Sequence, residues 1–104
     1  MADSVIIATG RFTCPLNAAQ ISTTSIRGRT IMFISDDGTA AANGNLGNQM
    51  IGIGGADVDD TNFWPMRVND TLTIDAVRGS TLDISNFYAL SSDAAQVLTW
   101  FVFG

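Results

Sequence analysis

The 104-residue chain contains no lysine, glutamate or histidine, so its ten acidic side chains are all aspartate and its five basic side chains are all arginine. Lysine and glutamate are good helix formers that usually cover exposed helix faces, whereas aspartate favours caps and turns. The chain is therefore poorly equipped to form surface helices. We expect a structure that is mostly β.

The same absences remove most of the side chains that perform acid–base catalysis. Histidine is the commonest general base, and glutamate and lysine are among its usual substitutes. A serine or cysteine nucleophile would have no histidine to activate it. Two aspartates can hydrolyse a glycosidic bond, but ten aspartates in turn positions make coincidental pairs easy. The sequence therefore predicts a protein that is not an enzyme, with no catalytic residue and no cofactor.

Aspartates cluster at residues 57–60, and Asp36 and Asp37 stand in another loop. Such carboxylates can collect oxygen ligands for calcium, but their spacing differs from that of an EF-hand, whose loop also ends in glutamate. We interpret them as solvated turn residues and predict no metal site.

Cys14 is the single cysteine of the chain and cannot form an internal disulfide. No histidine or lysine exists to lower its pKa, so a reactive thiol is not expected. We predict that it is a small core residue.

The net charge of the chain limits the classes of partner that we expect it to bind. The formal net charge is −5, whereas nucleic acids and anionic membranes select a basic footprint. The longest apolar stretch, Val97 to Phe103, is far shorter than the roughly 20 residues of a membrane helix. The amino-terminal segment of the sequence shows no signal-peptide pattern. We therefore expect neither nucleic acid nor membrane as a partner. We also expect the protein to be made in the cytoplasm of its host and not to be secreted by the usual route.

Short β-rich runs separated by Gly, Asn, Asp and Ser recur along the chain, which is typical of a sandwich or barrel. The pattern predicts a single domain, residues 1–104, folded as an antiparallel β-sandwich with a protruding loop at about 36–48. Leu72 and Ile74 are expected to point inward, and Leu82, Ile84, Tyr88 and Leu90 to share one parity. Strands are predicted at residues 4–9, 11–14, 20–24, 29–35, 49–54, 64–68, 71–77, 82–90 and 96–103.

Two predicted strands, residues 31–34 and 97–103, are apolar on both parities. A strand of a lone sandwich normally shows one face to water, so something must cover the second face. A partner subunit is one candidate, and a loop of the same chain is the other. The first interpretation predicts self-association through the side chains of Ile31, Phe33, Val97, Trp100, Phe101 and Phe103.

Three further features have two interpretations each. Trp64, Tyr88 and Trp100 are either buried core aromatics or a platform for sugar. Arg27 and Arg29 pair either with the chain's own aspartates or with an acidic patch on a neighbour. The glycines of Gly52-Ile53-Gly54-Gly55 indicate a bulge or a close approach, and not a nucleotide loop, because no helix pattern follows them.

The layout of residues 49–104 resembles the small β-sandwich, jelly-roll-like decoration or cement proteins of tailed bacteriophage heads. The resemblance lies in a strand that ends in glycines, an apolar step, a tight turn before a Thr-Leu-Thr-Ile strand, an aromatic strand and a final apolar strand. Asn69-Asp70 stands where glycine often precedes the Thr-Leu-Thr-Ile strand, but these residues also adopt the left-handed conformation. The matching segments are Ile51-Gly52-Ile53-Gly54-Gly55, Phe63-Trp64-Pro65-Met66, Thr71-Leu72-Thr73-Ile74-Asp75, residues 82–91 and residues 96–103.

The resemblance implies a structural virion protein on the outer surface of the capsid, where it forms a homodimer or homotrimer and binds across junctions of the major capsid protein. It implies capsid contacts through the amino terminus and the long loop. The alternative is a receptor- or glycan-binding module of a phage tail or fibre, with Trp64 and Tyr88 exposed beside residues 57–60. The residues expected to contact the capsid are Arg27, Arg29, Asp37, Asn43 and Leu46.

Overall fold

In the described part of the chain, every regular element except one short turn is a β-strand. The computed structural model describes residues 5–35, 51–59, 61–67, 69–91 and 96–104. Within these ranges there is no α-helix, and one 3-10 turn spans Ile84–Asn86. The strands are β1 (Ile6–Cys14), β2 (Ala19–Gln20), β3 (Arg27–Gly28), β4 (Thr30–Ser35), β5 (Ile51–Gly54), β6 (Trp64–Met66), β7 (Thr71–Asp75), β8 (Leu82–Asp83), β9 (Tyr88–Ser91) and β10 (Gln96–Phe103).

The strands form two four-stranded sheets that pack face to face. The first sheet has the order β1-β10-β4-β7, and the second sheet has the order β2-β9-β5-β6. A short ribbon of β3 and β8 stands beside them. All the strand pairs are antiparallel. The predicted antiparallel β-sandwich is confirmed.

The core lies between the sheets and is built from alternate residues of each strand. Phe33 is fully buried, and its ring lies 5.3 Å from that of Phe87. Complete burial of a side chain of this class stabilises the fold by about 1.5–3 kcal/mol. The first sheet contributes Cys14, Ile31, Phe33, Leu98, Trp100 and Val102 to this core, and the second contributes Ile51, Ile53, Met66 and Ala89.

Two sequence predictions about single residues are confirmed by this arrangement. Cys14 is fully buried, and burial raises the pKa of its thiol to about 12. Leu72 and Ile74 of β7 pack against the core while the threonines between and beside them stay exposed. Period-two alternation was enough to predict the orientation of β7.

The 3-10 turn interrupts the strand predicted over residues 82–90. Asp83 caps this turn, because its side chain accepts a hydrogen bond from the backbone N–H of Ser85 at 2.9 Å. When the strand resumes as β9, Ala89 faces the main core and Leu90 lies in a separate cluster on the other side of the second sheet. Residues 82, 84, 88 and 90 therefore do not lie on one face, and the prediction based on their shared parity is wrong.

The turn before β7 depends on a left-handed residue. Asn69 has a φ of 64°, a conformation that asparagine adopts more readily than most residues. The turn is fastened to the end of β4, because the Asp70 N–H donates to Ser35 Oγ at 3.0 Å and the Asn69 N–H to the Ser35 carbonyl at 3.1 Å. The expectation that this pair can adopt the left-handed conformation is confirmed for Asn69.

The close approach of β1 to the core gives a test of packing. A methyl group added at Gly10 would lie 2.5 Å from Trp100 Cζ2. Overpacking of this kind typically costs about 1–3 kcal/mol, so we expect Gly10→Ala to lower the free energy of unfolding by about that amount in urea denaturation. The matched control is Gly55→Ala, whose methyl would meet only Asp57 Oδ1 at 3.6 Å. Equal losses in the two variants would contradict the packing shown here.

Candidate interaction surface

The outward-pointing residues of the first sheet form one surface, which we call the outer face. Across its middle row, Thr9, Phe101, Met32 and Thr73 stand opposite one another on the four strands. The adjacent rows place Phe103 beside Thr30 and Asp75, and Arg11 beside Thr99, Ile34 and Thr71. The outer face therefore has an apolar centre and polar edges.

The apolar centre is partly exposed to solvent. Met32, Ile34, Val97, Phe101 and Phe103 are each intermediate in exposure, while the outward residues of edge strand β7 are exposed. Phe101 and Phe103 lie next to each other on β10 with their ring centroids 6.2 Å apart. Contiguous exposed apolar surface with a polar rim is typical of a protein–protein contact.

The six side chains predicted for self-association do not lie on one surface. Phe101, Phe103 and Val97 belong to the outer face. Ile31, Phe33 and Trp100 instead point into the core, where they are at most 7% exposed. The sequence reasoning missed Met32 and Ile34, although period-two alternation along β4 separates them from their buried neighbours. Whether the outer face associates with another protein stays a prediction.

The corresponding surface of the second sheet is covered by the chain itself. Val58 and Leu90 are buried there, and Phe63 and Tyr88 pack against them. The glycines of β5 make this cover possible, because a methyl at Gly52 would lie 2.8 Å from the Phe63 side chain and one at Gly54 would lie 2.9 Å from Val58. The predicted close approach at these glycines is confirmed. For the second sheet, a loop of the same chain provides the cover.

The predicted capsid-contact residues fall into two groups. Arg27 lies on the β3–β8 ribbon, where its Nε is 3.8 Å from Asp83 Oδ2 and one Nη donates to Thr81 Oγ1 at 3.4 Å. The Arg29 side chain is exposed. Its backbone N–H donates to the Phe103 carbonyl, and its carbonyl accepts from the Ala76 N–H. Of the two interpretations, pairing with the chain's own aspartate applies to Arg27. Asp37, Asn43 and Leu46 lie outside the described residues.

Asp83 is the most strongly perturbed carboxylate among the described residues. It is 6% exposed and accepts hydrogen bonds from the Ser25 and Ser85 hydroxyls and from the backbone N–H of Ser85 and Ile26. The Ser25 hydroxyl, followed by the donors of Ser85, lowers the pKa of Asp83 well below its usual value. Its oxygens are occupied by donors of its own chain, so it connects the segment before β3 to the 3-10 turn.

The aspartates near residue 57 form a local turn. Asp59 Oδ1 accepts from the N–H and the hydroxyl of Thr61 at 2.9 and 2.8 Å, and these bonds lower its pKa. Asp57 is exposed. In the part of the chain that the structure describes, no three carboxylates or thiols come together to hold a metal ion. Asp36, Asp37 and Asp60 are not among the described residues.

Trp64 lies at an apolar cavity between the β6 and β7 edges of the two sheets. The indole is 58% exposed, so the interpretation of Trp64 as a buried aromatic is wrong, whereas the same interpretation is confirmed for Trp100 at 7%. The sequence prediction placed Trp64 in a strand but did not use Pro65, whose presence in a strand is a signal that β6 would be an edge strand. The cavity measures about 310 Å³ and is lined by Ile53, Gly54, Gly55, Trp64, Leu72, Ile74 and Phe87.

Comparisons with protein-family models, with characterised proteins and with solved structures find no match to this chain. Among the described residues, no helix is long and apolar enough to cross a membrane.

The Asp83 contacts predict how stability depends on pH. Because its pKa in the folded state lies below its unfolded value of about 3.9, ionised Asp83 stabilises the fold above pH 4, and this contribution is lost as the pH falls below that value. We expect Asp83→Asn to be less stable than the parent at pH 7 and to lose less stability between about pH 4 and 2. Thermal unfolding at a series of pH values measures both effects. Asp57→Asn, at an exposed position, is the control, and an unchanged slope for Asp83→Asn would refute the assignment.

Trp64 is exposed and Trp100 is buried, so their fluorescence should differ in emission wavelength and in quenching. With Trp100 replaced by Phe, the remaining Trp64 emission is expected at longer wavelength and to be strongly quenched by acrylamide, because that indole contacts water. With Trp64 replaced by Phe, the remaining Trp100 emission is expected at shorter wavelength with weak quenching. The reverse order of quenching would contradict the placement of both side chains.

Proposed function

We propose that this chain is a structural virion protein that decorates the outer surface of a tailed-phage capsid and binds across junctions of the major capsid protein. The observation that carries the proposal is the outer face: an antiparallel sheet that partly exposes Met32, Ile34, Phe101 and Phe103 to solvent. A sheet face with an apolar centre and polar edges suits adhesion to other proteins.

The strand order supports the same proposal. Counted along the chain over the eight strands of the two sheets, the first sheet has the order 1-8-3-6 and the second 2-7-4-5. We infer a jelly roll of two Greek keys, an architecture that viral capsid domains use, along with lectins and cupins. Because unrelated functions share this architecture, it supports a virion role without specifying it.

The proposed mechanism is adhesive. A protein that binds the assembled shell and not its free subunits adds its binding free energy to the stability of the shell. The low charge of the chain, with 14% charged residues against a usual value of about 25%, limits the desolvation cost of such contacts. Copies bound at many equivalent junctions would together resist the pressure of packaged DNA.

A receptor- or glycan-binding module of a tail or fibre is the second candidate. It is favoured by one observation, the 58% exposure of Trp64 beside a cavity. The cavity lining is apolar or glycine, which provides few partners for sugar hydroxyls. Tyr88, the other aromatic proposed for such a site, packs against Val58 and Leu90 on the second sheet. This candidate therefore ranks below the decoration protein.

Cryo-electron microscopy of the intact particle tests the decoration role. We expect this chain to coat the shell at a copy number near that of the major capsid protein, and particles that lack it to release their DNA at lower temperature than particles to which it has been added back. Finding the chain at the tail alone would contradict the proposal.

A glycan array tests the second candidate. If the chain is found at the tail, the array should bind the parent and not Trp64→Ala. Leu16→Ala is the control, because Leu16 is an exposed apolar residue away from the cavity.

A further inference from the structure

Trp64 is exposed although it belongs to the inward side of the second sheet. It pairs with Ile53 of β5, and paired residues of a sheet share a face. Ile53 and Met66 of that face are 2% and 1% exposed, whereas Trp64 is 58% exposed. Among the described strands, the first sheet ends at β7, so the indole has no strand above it. The core of the sandwich is therefore incomplete at this edge.

The cavity beside Trp64 is the space that the missing strand leaves. Leu72 and Ile74 line it from β7, and Ile53 and Trp64 line it from the second sheet. Its volume of about 310 Å³ is roughly twice that of an engineered cavity of about 150 Å³ that holds one benzene molecule. Because its lining is apolar or glycine, it offers water few hydrogen-bond partners. The cavity therefore suits two apolar side chains.

The main chain of β7 has hydrogen-bonding groups that point away from β4. The Ser35 N–H donates to the Asp70 carbonyl at 2.9 Å, and the Ala76 N–H donates to the Arg29 carbonyl at 2.7 Å. Bonded and non-bonded pairs alternate between these two bonds, so Thr73 belongs to a non-bonded pair. Its N–H and C=O therefore point to the other edge of β7, where no described strand pairs.

The two strands that border the cavity differ in the protection of their edges. Natural proteins block sheet edges with proline, charges or bulges. β6 carries Pro65, which has no N–H to donate. β7 has no proline, its register with β4 is regular, and its one charged residue, Asp75, stands at its end. β7 is therefore the edge to which a further strand can add.

We propose that an extended segment of a partner protein adds to the free edge of β7 as an antiparallel strand and places two apolar side chains, two residues apart, in the cavity over Trp64. Strand addition obtains affinity from main-chain hydrogen bonds and specificity from pockets for alternate side chains. β7 offers both on the same edge. The residues of the segment opposite Thr71 and Thr73 bond to β7, and those next to them enter the cavity.

The length of β7 limits the strength of this contact. Its five residues span about 17 Å, so the contact buries less than the roughly 1,200 Å² of stable complexes. One segment is therefore expected to bind weakly, and many copies would have to bind together for a strong attachment. The inference goes beyond the proposed function, since it concerns a sheet edge and not the outer face, and its test uses no capsid.

A synthetic peptide tests the proposal with the full chain. The probe is Lys-Thr-Leu-Thr-Leu-Thr-Lys with blocked ends, whose leucines share one face of a strand. We expect it to move the Trp64 emission to shorter wavelength and to reduce acrylamide quenching, because a leucine covers the indole. Thr73→Pro removes the N–H that points to the peptide and should weaken binding about tenfold. Thr73→Ala keeps that N–H and should bind like the parent.

Modified peptides separate strand addition from the binding of any apolar group. Methyl groups on the threonine nitrogens remove the N–H groups that face β7, so this peptide should not bind. Methyl groups on the leucine nitrogens, which point away from β7, should leave binding nearly unchanged. A peptide with serine in place of leucine has the same charge and should bind much more weakly. These comparisons leave the protein unaltered, so they hold even if Thr73→Pro fails to fold.

Three results would overturn the proposal. The first is a parent chain that does not bind the leucine peptide. The second is binding that survives methylation of the threonine nitrogens, which would mean that the cavity takes an apolar group without strand addition. The third is a mass that rises with concentration in the parent and not in Thr73→Pro, which would make a second copy the occupant. Peptide binding by a chain that does not coat the shell would refute the decoration role alone.

Discussion

The packing of β10 between β1 and β4 is the contact on which the rest of the molecule depends. One side of β10 presents Leu98, Trp100 and Val102 to the core, and the other presents Val97, Phe101 and Phe103 to the outer face. The strand pairs along nearly its whole length on both edges. One run of eight residues therefore packs against the second sheet and supplies three of the five side chains in the apolar centre of the outer face.

The fold could be predicted from sequence to the extent that alternation and turn residues determine it. The strand at residues 71–77, the apolar run at 96–103 and the turn at Asn69 follow from local patterns. These patterns are an apolar period of two, a continuous apolar run and a residue suited to a left-handed turn, respectively. The predicted strand at 20–24 is reduced to Ala19–Gln20, and the β3–β8 ribbon was not expected. Beside the ribbon, Asp83 holds Ser25 and Ile26 through hydrogen bonds between residues nearly 60 positions apart, and such contacts have no local signal in the sequence.

The candidate surface was predictable only in part. Two-sided apolarity correctly identified the strands that carry it, but it treated both parities as equivalent and so combined core residues with surface residues. The positions of Arg11 and Asp75 in different rows of the outer face follow from the registers of three strand pairs. No pattern within either strand indicates that these residues share a face. The exposure of Trp64 depends on β6 being an edge strand, and here Pro65 was a local signal.

The cover over the second sheet has a consequence for how copies of this chain assemble. A sandwich with two open apolar faces would stack without limit, since each added copy would offer a fresh surface to the next. Here Phe63 and Val58 close one side over Gly52 and Gly54, and among the described residues the sheet with β10 at its centre presents the remaining apolar face. If two copies paired through that face, neither would keep an open apolar sheet face among the described residues, so the pair would not extend into a fibre.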